Sequence, residues 1–479
     1  MGTVLLILIP LVTGLAAFLI PGKAAKPWAL VSSLVTLARV CLSISGSVHG
    51  ASGADVSWIP QLGSRFTVGL DGMGLVLCLL NAVVFPVVFI ANWKKDYERP
   101  SSFYGLMLLS QAGMMGVFTA MDALLFYAFW ELALIPVYFL CSLWGGDRRI
   151  RVTFKFFVYT FLGSLLMLAG IIYLYFQTPG AHSFSYQAFV LAGRALPATV
   201  QGGLFWLFFI AFAVKMPVFP FHTWQPDTYE QSPTPVTIIL SAVMVKMGVF
   251  GLIRWVLPVF PEGVAHWSNV AMILSVTGII YASVLAIRQG DLKRMVAYSS
   301  IAHVGLMSAA IFSHNPIGLE GVIFQMFSHG ITITGMWVVV GIFESKSHTR
   351  QIADLGGVAR SAPGLAIAFM IICLGNIALP LTNGFVGEFL MFTGLYQFSP
   401  WAMVPAGLAV ILVAVYILGM LQRVLFGKPG EHTQGMKDLG TGEYIALGIL
   451  VVLIIGFGVF PQPLLDLAHG TTASLMAYF

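Results

Sequence analysis

The sequence predicts an all-α polytopic membrane protein, and three features of the chain lead to this class. Of its 479 residues, 58% are hydrophobic and only 9% are charged, whereas soluble proteins carry about 25% charged residues. Its mean hydropathy is +0.91. Its apolar runs continue without interruption over about 20 residues, the length that a helix needs to cross a bilayer, and they do not alternate as barrel strands do.

These runs predict fourteen spans, of which the seventh and the twelfth are broken. In chain order the spans cover residues 3–20, 27–48, 70–93, 101–119, 122–143, 151–177, 201–229, 235–257, 267–287, 294–313, 317–343, 363–397, 402–426 and 441–460. The first run has no basic segment before it and no small-residue cleavage site after it, so we expect a retained helix. The longest loops, near 49–69 and 178–200, are too short for an extramembrane domain, and a short tail follows the last span.

Basic residues divide the loops into two groups. The loops after even-numbered spans carry little more than Arg65 and Arg194, whereas most Lys and Arg residues follow odd-numbered spans. The latter are Lys23, Lys26, Lys94, Lys95, Arg99, Arg148, Arg149, Arg151, Arg288, Lys293, Arg294, Lys346, Arg350, Arg360, Lys428 and Lys437. The positive-inside rule then places the odd-to-even loops in the cytoplasm and both termini on the outer, periplasmic side of a bacterial inner membrane.

The two broken spans are interrupted by helix-breaking residues next to an ionisable one. Pro217 and Pro220 follow Lys215 in "KMPVFP", and Pro380 in "ALPLTNGF" precedes Glu388. Breaks with charge, five spans apart, indicate inverted repeats around an ion path. The single membrane domain 1–479 is accordingly divided into N-terminal helices (1–100), a first repeat (101–257), a second repeat (258–430) and a final helix with its tail (431–479). The alternative is that the prolines are ordinary features of membrane helices.

Six ionisable side chains lie inside apolar runs, one in each of six spans. They are Glu131, Lys215, Lys246, His303, His329 and Glu388. A charge at the centre of a membrane helix costs about 2.5–3.5 kcal/mol on insertion scales, and such residues commonly mark ion paths. Each of the six can exchange a proton when burial and neighbours bring its pKa towards neutrality. A static alternative is that these groups only lock helices together, but their spread over six helices favours a path.

Other chemistries fit the sequence less well. The four cysteines stand singly with no CxxC pair, which argues against metal, iron–sulfur and disulfide sites. No second histidine pair matches His303 and His329 in depth, so haem ligation is not expected, and no Gly-rich phosphate loop supports ATP-driven pumping. His222, Asp227 and Glu230, after span seven, are either a proton uptake site or a solvated surface. The net charge of +5 reflects topology and not nucleic-acid binding.

Six long motifs around these residues resemble the antiporter-like subunits of respiratory complex I, over essentially the whole chain and most strongly from 120 to 395. They are "FYAFWELALIPVYFLCSLWGG", "AFAVKMPVFPFHTWQPD", "PTPVTIILSAVMVKMGVFGLIRW", "GDLKRMVAYSSIAHVGLM", "MFSHGITITGMW" and "NGFVGEFLMF". By this resemblance, in the same order, they hold the essential glutamate Glu131, the pumping lysine Lys215, the connecting lysine Lys246, His303, His329, and Glu388 nearest the exit.

Two features resemble the M-type members of the family. Glu388 occupies the span-twelve position where the L-type, N-type and antiporter D subunits usually carry lysine, and the chain ends soon after span fourteen, without the long lateral helix of the L type. One departure is Tyr229 in "QPDTYEQSPTP", where the family often has histidine. We therefore assign no proton uptake role to that position.

The resemblance implies a proton-translocating subunit of NADH–quinone oxidoreductase without a redox centre of its own. NADH, FMN, the iron–sulfur clusters and quinone would be bound by partner subunits, and L-type and N-type subunits and lipid would surround this chain. Three alternatives remain: a subunit of a multisubunit cation/proton antiporter or membrane-bound hydrogenase, an independent secondary transporter, and a structural scaffold.

Overall fold

The computed structural model describes residues 2–46 and 53–476, and most of them are helical. The nineteen helices found there are α1 (Gly2–Ala17), α2 (Gly22–Gly46), α3 (Gly72–Ala91), α4 (Pro100–Thr119), α5 (Ala123–Trp144), α6 (Arg149–Gln177), α7 (Tyr186–Ala195), α8 (Ala198–Lys215), α9 (Gln225–Gln231), α10 (Thr234–Val256), α11 (Pro261–Ile287), α12 (Leu292–Ile311), α13 (Pro316–Lys346), α14 (Val358–Ser361), α15 (Pro363–Asn376), α16 (Asn383–Phe398), α17 (Pro400–Leu425), α18 (Thr441–Val459) and α19 (Gln462–Met476).

Several helices begin at a short polar residue that satisfies the first free backbone N–H groups. An N-cap side chain accepts hydrogen bonds from donors that have no partner inside the helix. Such caps start α3, α5, α12 and α13, and they are Asp71, Asp122, Asp291 and Asn315. The local sequence therefore fixes where these four helices begin.

Each of the fourteen predicted spans falls on a helix or on a pair of half-helices. Residues 47 and 48 of the second span lie outside the described residues. Ten of these helices are long and apolar enough to cross a membrane by length and composition. The prediction of an all-helical membrane protein is confirmed. The count of fourteen crossings, the domain divisions and the two inverted repeats stay predictions.

The chain is broken at both predicted places. Helix α8 ends at Lys215 and the chain becomes helical again in α9, and α15 ends at Asn376 before α16. In the second break Ala378 and Leu381 have φ angles of +60° and +73°, in the left-handed region. Because non-glycine residues avoid this region, the backbone conformation of each such residue costs about 1–3 kcal/mol, which the surrounding packing must offset.

Helices α10 and α13 form the centre of the bundle. In the most apolar 18-residue window of each, 100% and 94% of the residues are buried, against 39% in α6 and 22% in α18. Helix α10 also contains two π-helical turns, Leu240–Met244 and Leu252–Val256. The two most enclosed helices are thus the ones that carry Lys246 and His329.

The loops and the tail contain structure that the sequence interpretation did not assign. Strands β1 (Ala54–Ile59) and β2 (Ser64–Val68) pair antiparallel in the first long loop, and α7 lies in the second. The tail forms α19, which packs against α3 and α13. The hydroxyl of Thr471 in α19 accepts a hydrogen bond from the backbone N–H of Met73 at 3.1 Å.

Candidate functional site

Four of the six predicted site residues lie in one line through the centre of the bundle. Lys246 Nζ on α10 is 2.8 Å from His329 Nδ1 on α13. The rings of His329 and His303, which lies on α12, have centroids 5.4 Å apart. His303 Nδ1 is 3.0 Å from Glu388 Oε1 on α16. All four side chains are buried, so the line runs from the first half of the chain into the second without contact with solvent.

The position of Lys246 depends on a local change in helix geometry. In the π-helical turn before it, the N–H of Val245 donates to the carbonyl of Leu240, five residues back. In a regular α-helix that N–H would bond to the carbonyl of Ser241. The Ser241 carbonyl instead accepts a hydrogen bond from Lys246 Nζ at 2.8 Å. The fully buried ammonium group therefore has two partners, one backbone oxygen and one imidazole.

His303 has a further neighbour that the sequence interpretation missed. Asn376, the last residue of α15, has its Oδ1 3.4 Å from His303 Nε2 and accepts a hydrogen bond from the Ser299 hydroxyl at 3.2 Å. Tyr416 on α17 donates to the same Ser299 hydroxyl at 3.0 Å. The sequence does contain a signal for this residue, because Asn376 is a polar residue in an apolar run immediately before the second break.

Glu131 and Lys215 lie apart from this line. Lys215 Nζ is 5.3 Å from the centroid of the Trp130 ring, and neither Lys215 Nζ nor Glu131 Oε1 has a hydrogen-bond partner among the described residues. The two groups interact electrostatically, but in residues 2–46 and 53–476 they form no ion pair within 4 Å. The interaction between Glu131 and Lys215 is therefore longer in range than an ion pair, with an aromatic ring beside the lysine.

The acidic residues after span seven are held in ion pairs. The two carboxylate oxygens of Glu230 contact three guanidinium groups at 2.8–3.1 Å, and those groups belong to Arg148, Arg294 and Arg350. Asp227 is paired with Lys155 at 3.0 Å and with Arg294 at 3.2 Å. Glu230 is buried and Asp227 is partly exposed, and both interpretations of this segment stay predictions. His222 is buried too, and its ring lies against Phe219 and Tyr281.

The arrangement of the four central groups suits proton transfer. A primary amine, two imidazoles and a carboxylate can each gain and lose a proton, and two of the three steps between them are already within hydrogen-bond distance. The ring-to-ring step between His329 and His303 is longer. His329 Nε2 is buried and has no hydrogen-bond partner in the described part of the chain, so this nitrogen is free to exchange a proton with a bridging water.

Comparison with known proteins gives four further findings. The family model described as NADH:quinone oxidoreductase/Mrp antiporter matches residues 120–413. The chain is 39% identical to NADH-quinone oxidoreductase subunit M of Rickettsia prowazekii, over 88% of this chain and 86% of that one. It is 36% identical to F(420)H(2) dehydrogenase subunit M of Methanosarcina mazei, over 99% and 97%. It is also similar in structure to a chain of respiratory complex I from Thermus thermophilus, with a TM-score of 0.90, 29% identity and coverage of 99% and 100%.

Proposed function

This chain belongs to the NADH:quinone oxidoreductase/Mrp antiporter membrane-subunit family, and from that premise we propose that it is the M-type proton-translocating subunit in the membrane arm of a complex I. The observation that carries the proposal is the buried line Lys246–His329–His303–Glu388. A buried salt bridge alone is weak support for a function, because it can be purely structural. Here four proton-exchanging groups on four different helices follow one another, with two direct contacts between them, and this arrangement supports a path over a static lock.

The proton steps follow from the contacts. The Lys246 ammonium gives a proton to His329 Nδ1, and the imidazolium so formed releases a proton from Nε2. His303 takes that proton and passes one from Nδ1 to the Glu388 carboxylate. After these transfers Lys246 is neutral, Glu388 is protonated and each imidazole carries its proton on the other nitrogen. The line is reset when Lys246 takes up a new proton, Glu388 releases its proton and the two imidazoles return to their first tautomers. Lys215 and Glu131 act as a second, separate unit whose charge state alters that of Lys246.

Redox chemistry belongs to other subunits in this proposal. NADH, FMN, the iron–sulfur clusters and quinone are bound there, and their free energy reaches this chain through changes in charge and hydration along the membrane arm. L-type and N-type antiporter-like subunits are its neighbours. The membrane is a bacterial inner membrane, and both termini lie on its outer side.

A second candidate differs only in the electron donor. The Methanosarcina mazei relative spans almost the whole chain and is named as a subunit of an F(420)H(2) dehydrogenase. The proton line of this chain would serve either complex equally well. The two candidates are distinguished by testing which electron donor the isolated complex uses to reduce quinone or another acceptor. A cation/proton antiporter subunit would translocate ions without any electron donor.

The proposal is tested by Glu388→Gln in the assembled complex. We expect the ratio of protons pumped to electrons transferred to fall measurably in sealed vesicles, because a neutral amide cannot accept the proton from His303. The chain offers a matched control, since Glu320 on α13 also pairs with a histidine, His469, at 2.7 Å, but at an exposed site. Glu320→Gln should leave the ratio unchanged. A wild-type ratio in a fully assembled Glu388→Gln complex would contradict the proposed path.

A further inference from the structure

Two adjoining cavities open on the side of the molecule that carries the basic loops. One has a volume of about 440 Å³ and the other of about 410 Å³, and Thr234, Lys95 and Glu344 line both. Thr234 is the first residue of α10, the helix that carries Lys246. Water in these cavities therefore reaches the end of the central helix.

An ion pair lies at the inner end of the first cavity. Lys293 Nζ is 3.0 Å from Glu344 Oε2, and the lysine side chain is 4% exposed whereas the glutamate is 37% exposed. Thr234 Oγ1 donates to the same Glu344 oxygen at 3.4 Å. Glu344 thus lines the open cavity on one side and contacts a buried hydroxyl on the other, which is the position required of a group that takes up protons.

A line of hydroxyl groups leads inward from Glu344. Thr234, Thr237 and Ser241 stand three and four residues apart on α10, so they share one face of the helix. All three are buried, and the other residues between Thr234 and Lys246 are apolar. Over these twelve positions a helix rises by roughly 18 Å. The hydroxyls divide that distance into steps of about one helical turn.

The inner end of this line meets Lys246. Ser241 is the residue whose carbonyl accepts the hydrogen bond from Lys246 Nζ, because the π-helical turn leaves that carbonyl available. The same turn thus brings the backbone carbonyl of Ser241, the last hydroxyl-bearing residue of the line, into contact with Lys246, the first group of the central line.

The other acidic groups on this side are less suited to proton uptake. Glu230 is held by three arginines and Asp227 by a lysine and an arginine. These fixed positive charges favour the ionised carboxylates, so a proton is not readily taken up there. Burial by itself would raise the pKa of the Glu344 carboxyl, but the charges of Lys293 and Arg350 outweigh burial and lower this pKa too. Its nearest cation, however, is Lys293 at 3.0 Å, which unlike an arginine can lose its proton, and Arg350 is farther away at 3.7 Å.

We propose that Glu344, with Lys293, is the group that takes up protons from the basic side, and that Thr234, Thr237 and Ser241 conduct them to Lys246. The proposal rests on the function proposed above, since an inlet needs a path to feed. Protons move from cavity water to the Glu344 carboxylate, then along hydroxyls and the water between them to the neutral Lys246 amine.

Cysteine accessibility tests the inlet without measuring pumping. Thr237→Cys and Ile238→Cys place thiols at neighbouring buried positions, one on the hydroxyl face and one off it. A small, charged, membrane-impermeant thiol reagent is applied to vesicles of both orientations, with the unsubstituted complex as background. We expect Thr237→Cys to react at least about tenfold faster than Ile238→Cys, and only from the basic side. Equal rates, or reaction from the opposite side, would overturn the inlet.

Pumping measurements then separate the inlet from the path. Glu344→Gln should lower the rate of proton uptake several-fold, and Glu344→Asp should restore most of it. Asp96→Asn is the matched control, because Asp96 lines the same cavity but its side chain is 96% exposed; it should pump normally. If Glu388→Gln abolishes pumping while Glu344→Gln pumps normally, the inlet is wrong and the path stands. If neither variant changes pumping, the proposed function fails as well.

Discussion

Single residues in this protein show two ways of keeping a charged group inside a membrane bundle. Lys246 has a carbonyl and an imidazole within hydrogen-bond distance, whereas Lys215 Nζ has no hydrogen-bond partner among the described residues and lies 5.3 Å from the centroid of the Trp130 ring. A cation–π contact contributes about 2 kcal/mol or more when desolvated, less than a full set of hydrogen bonds to an ammonium group. Lys215 is therefore the less firmly held of the two lysine side chains.

Glu230 provides a prediction at the same scale. Burial by itself would raise the pKa of its carboxyl, but the hydrogen bond from Arg294 and the charges of Arg350 and Arg148 outweigh burial and lower the pKa below its ordinary value. A lowered carboxyl pKa stabilises the folded protein above the unfolded-state value of about 4.3, and this contribution is lost as the pH falls through the lowered pKa.

We therefore expect Glu230→Gln to lower the thermal stability of the purified complex at pH 7. The difference in unfolding midpoint between this variant and the wild type should narrow as the pH falls below about 4. The measurement is the unfolding midpoint of both proteins across a pH series. Lys155→Gln serves as the comparison, since Lys155 pairs with the neighbouring Asp227 and leaves the Glu230 contacts intact. A constant difference at all pH values would contradict the argument.

At the scale of whole elements, the two broken spans differ in how the chain is interrupted. The first break contains prolines, whereas the second adds two left-handed residues, Ala378 and Leu381. A Cβ atom built at Gly384 would lie 2.3 Å from the Gly375 carbonyl oxygen. The half-helices of the second break therefore meet at a distance that only glycine allows. This close approach brings Asn376 and Glu388 to the two sides of His303.

Helices α8 and α10 also meet at a glycine, and this contact gives a prediction for the element scale. A Cβ atom at Gly248 would lie 2.7 Å from the Phe212 carbonyl oxygen and 2.9 Å from Met216 Cβ. Gly248→Val must push the two helices apart, at a cost of about 1–3 kcal/mol. We expect a lower unfolding midpoint in detergent and reduced pumping, because Lys215 ends the displaced helix.

The control for this prediction is Gly203→Val. Gly203 lies on the same helix as Phe212, but no atom lies within 4 Å of a Cβ built there. The unfolding midpoint of the Gly203→Val variant should stay close to that of the wild type. Equal destabilisation by both substitutions would show that helix propensity, and not helix contact, accounts for the loss.

For the whole molecule, the distribution of charge predicts how the bundle lies in the membrane. The loops near both cavities and the Glu230 ion pairs all follow odd-numbered spans, which the positive-inside rule assigns to the cytoplasm. The inlet proposed here lies on that side. The direction of proton movement therefore depends on a topology that the loop charges predict but that the fold does not establish.

Single cysteines test this topology. Ala181, in the loop after span six, and Glu431, in the loop after span thirteen, are both exposed. In a background with Cys41, the one exposed native cysteine, replaced by serine, Ala181→Cys should react with an impermeant reagent in right-side-out vesicles. Glu431→Cys should react only in inside-out vesicles. The reverse pattern would invert the assignment of sides.

The amino-acid sequence by itself determined the membrane class, the two broken spans and the six ionisable residues, because apolar length, proline and charge are properties of a segment and need no knowledge of its neighbours. Only the tertiary structure decided which residues meet. Lys246 and His329 are 83 positions apart, and His303 and Glu388 are 85 apart. Helices α10 and α13 are buried on almost every side, so neither has the contrast between an apolar and a solvent-exposed polar face that would indicate an orientation. Packing at glycines and a π-helical turn set those orientations, which is why the sequence predicted the members of the site but not the line that they form.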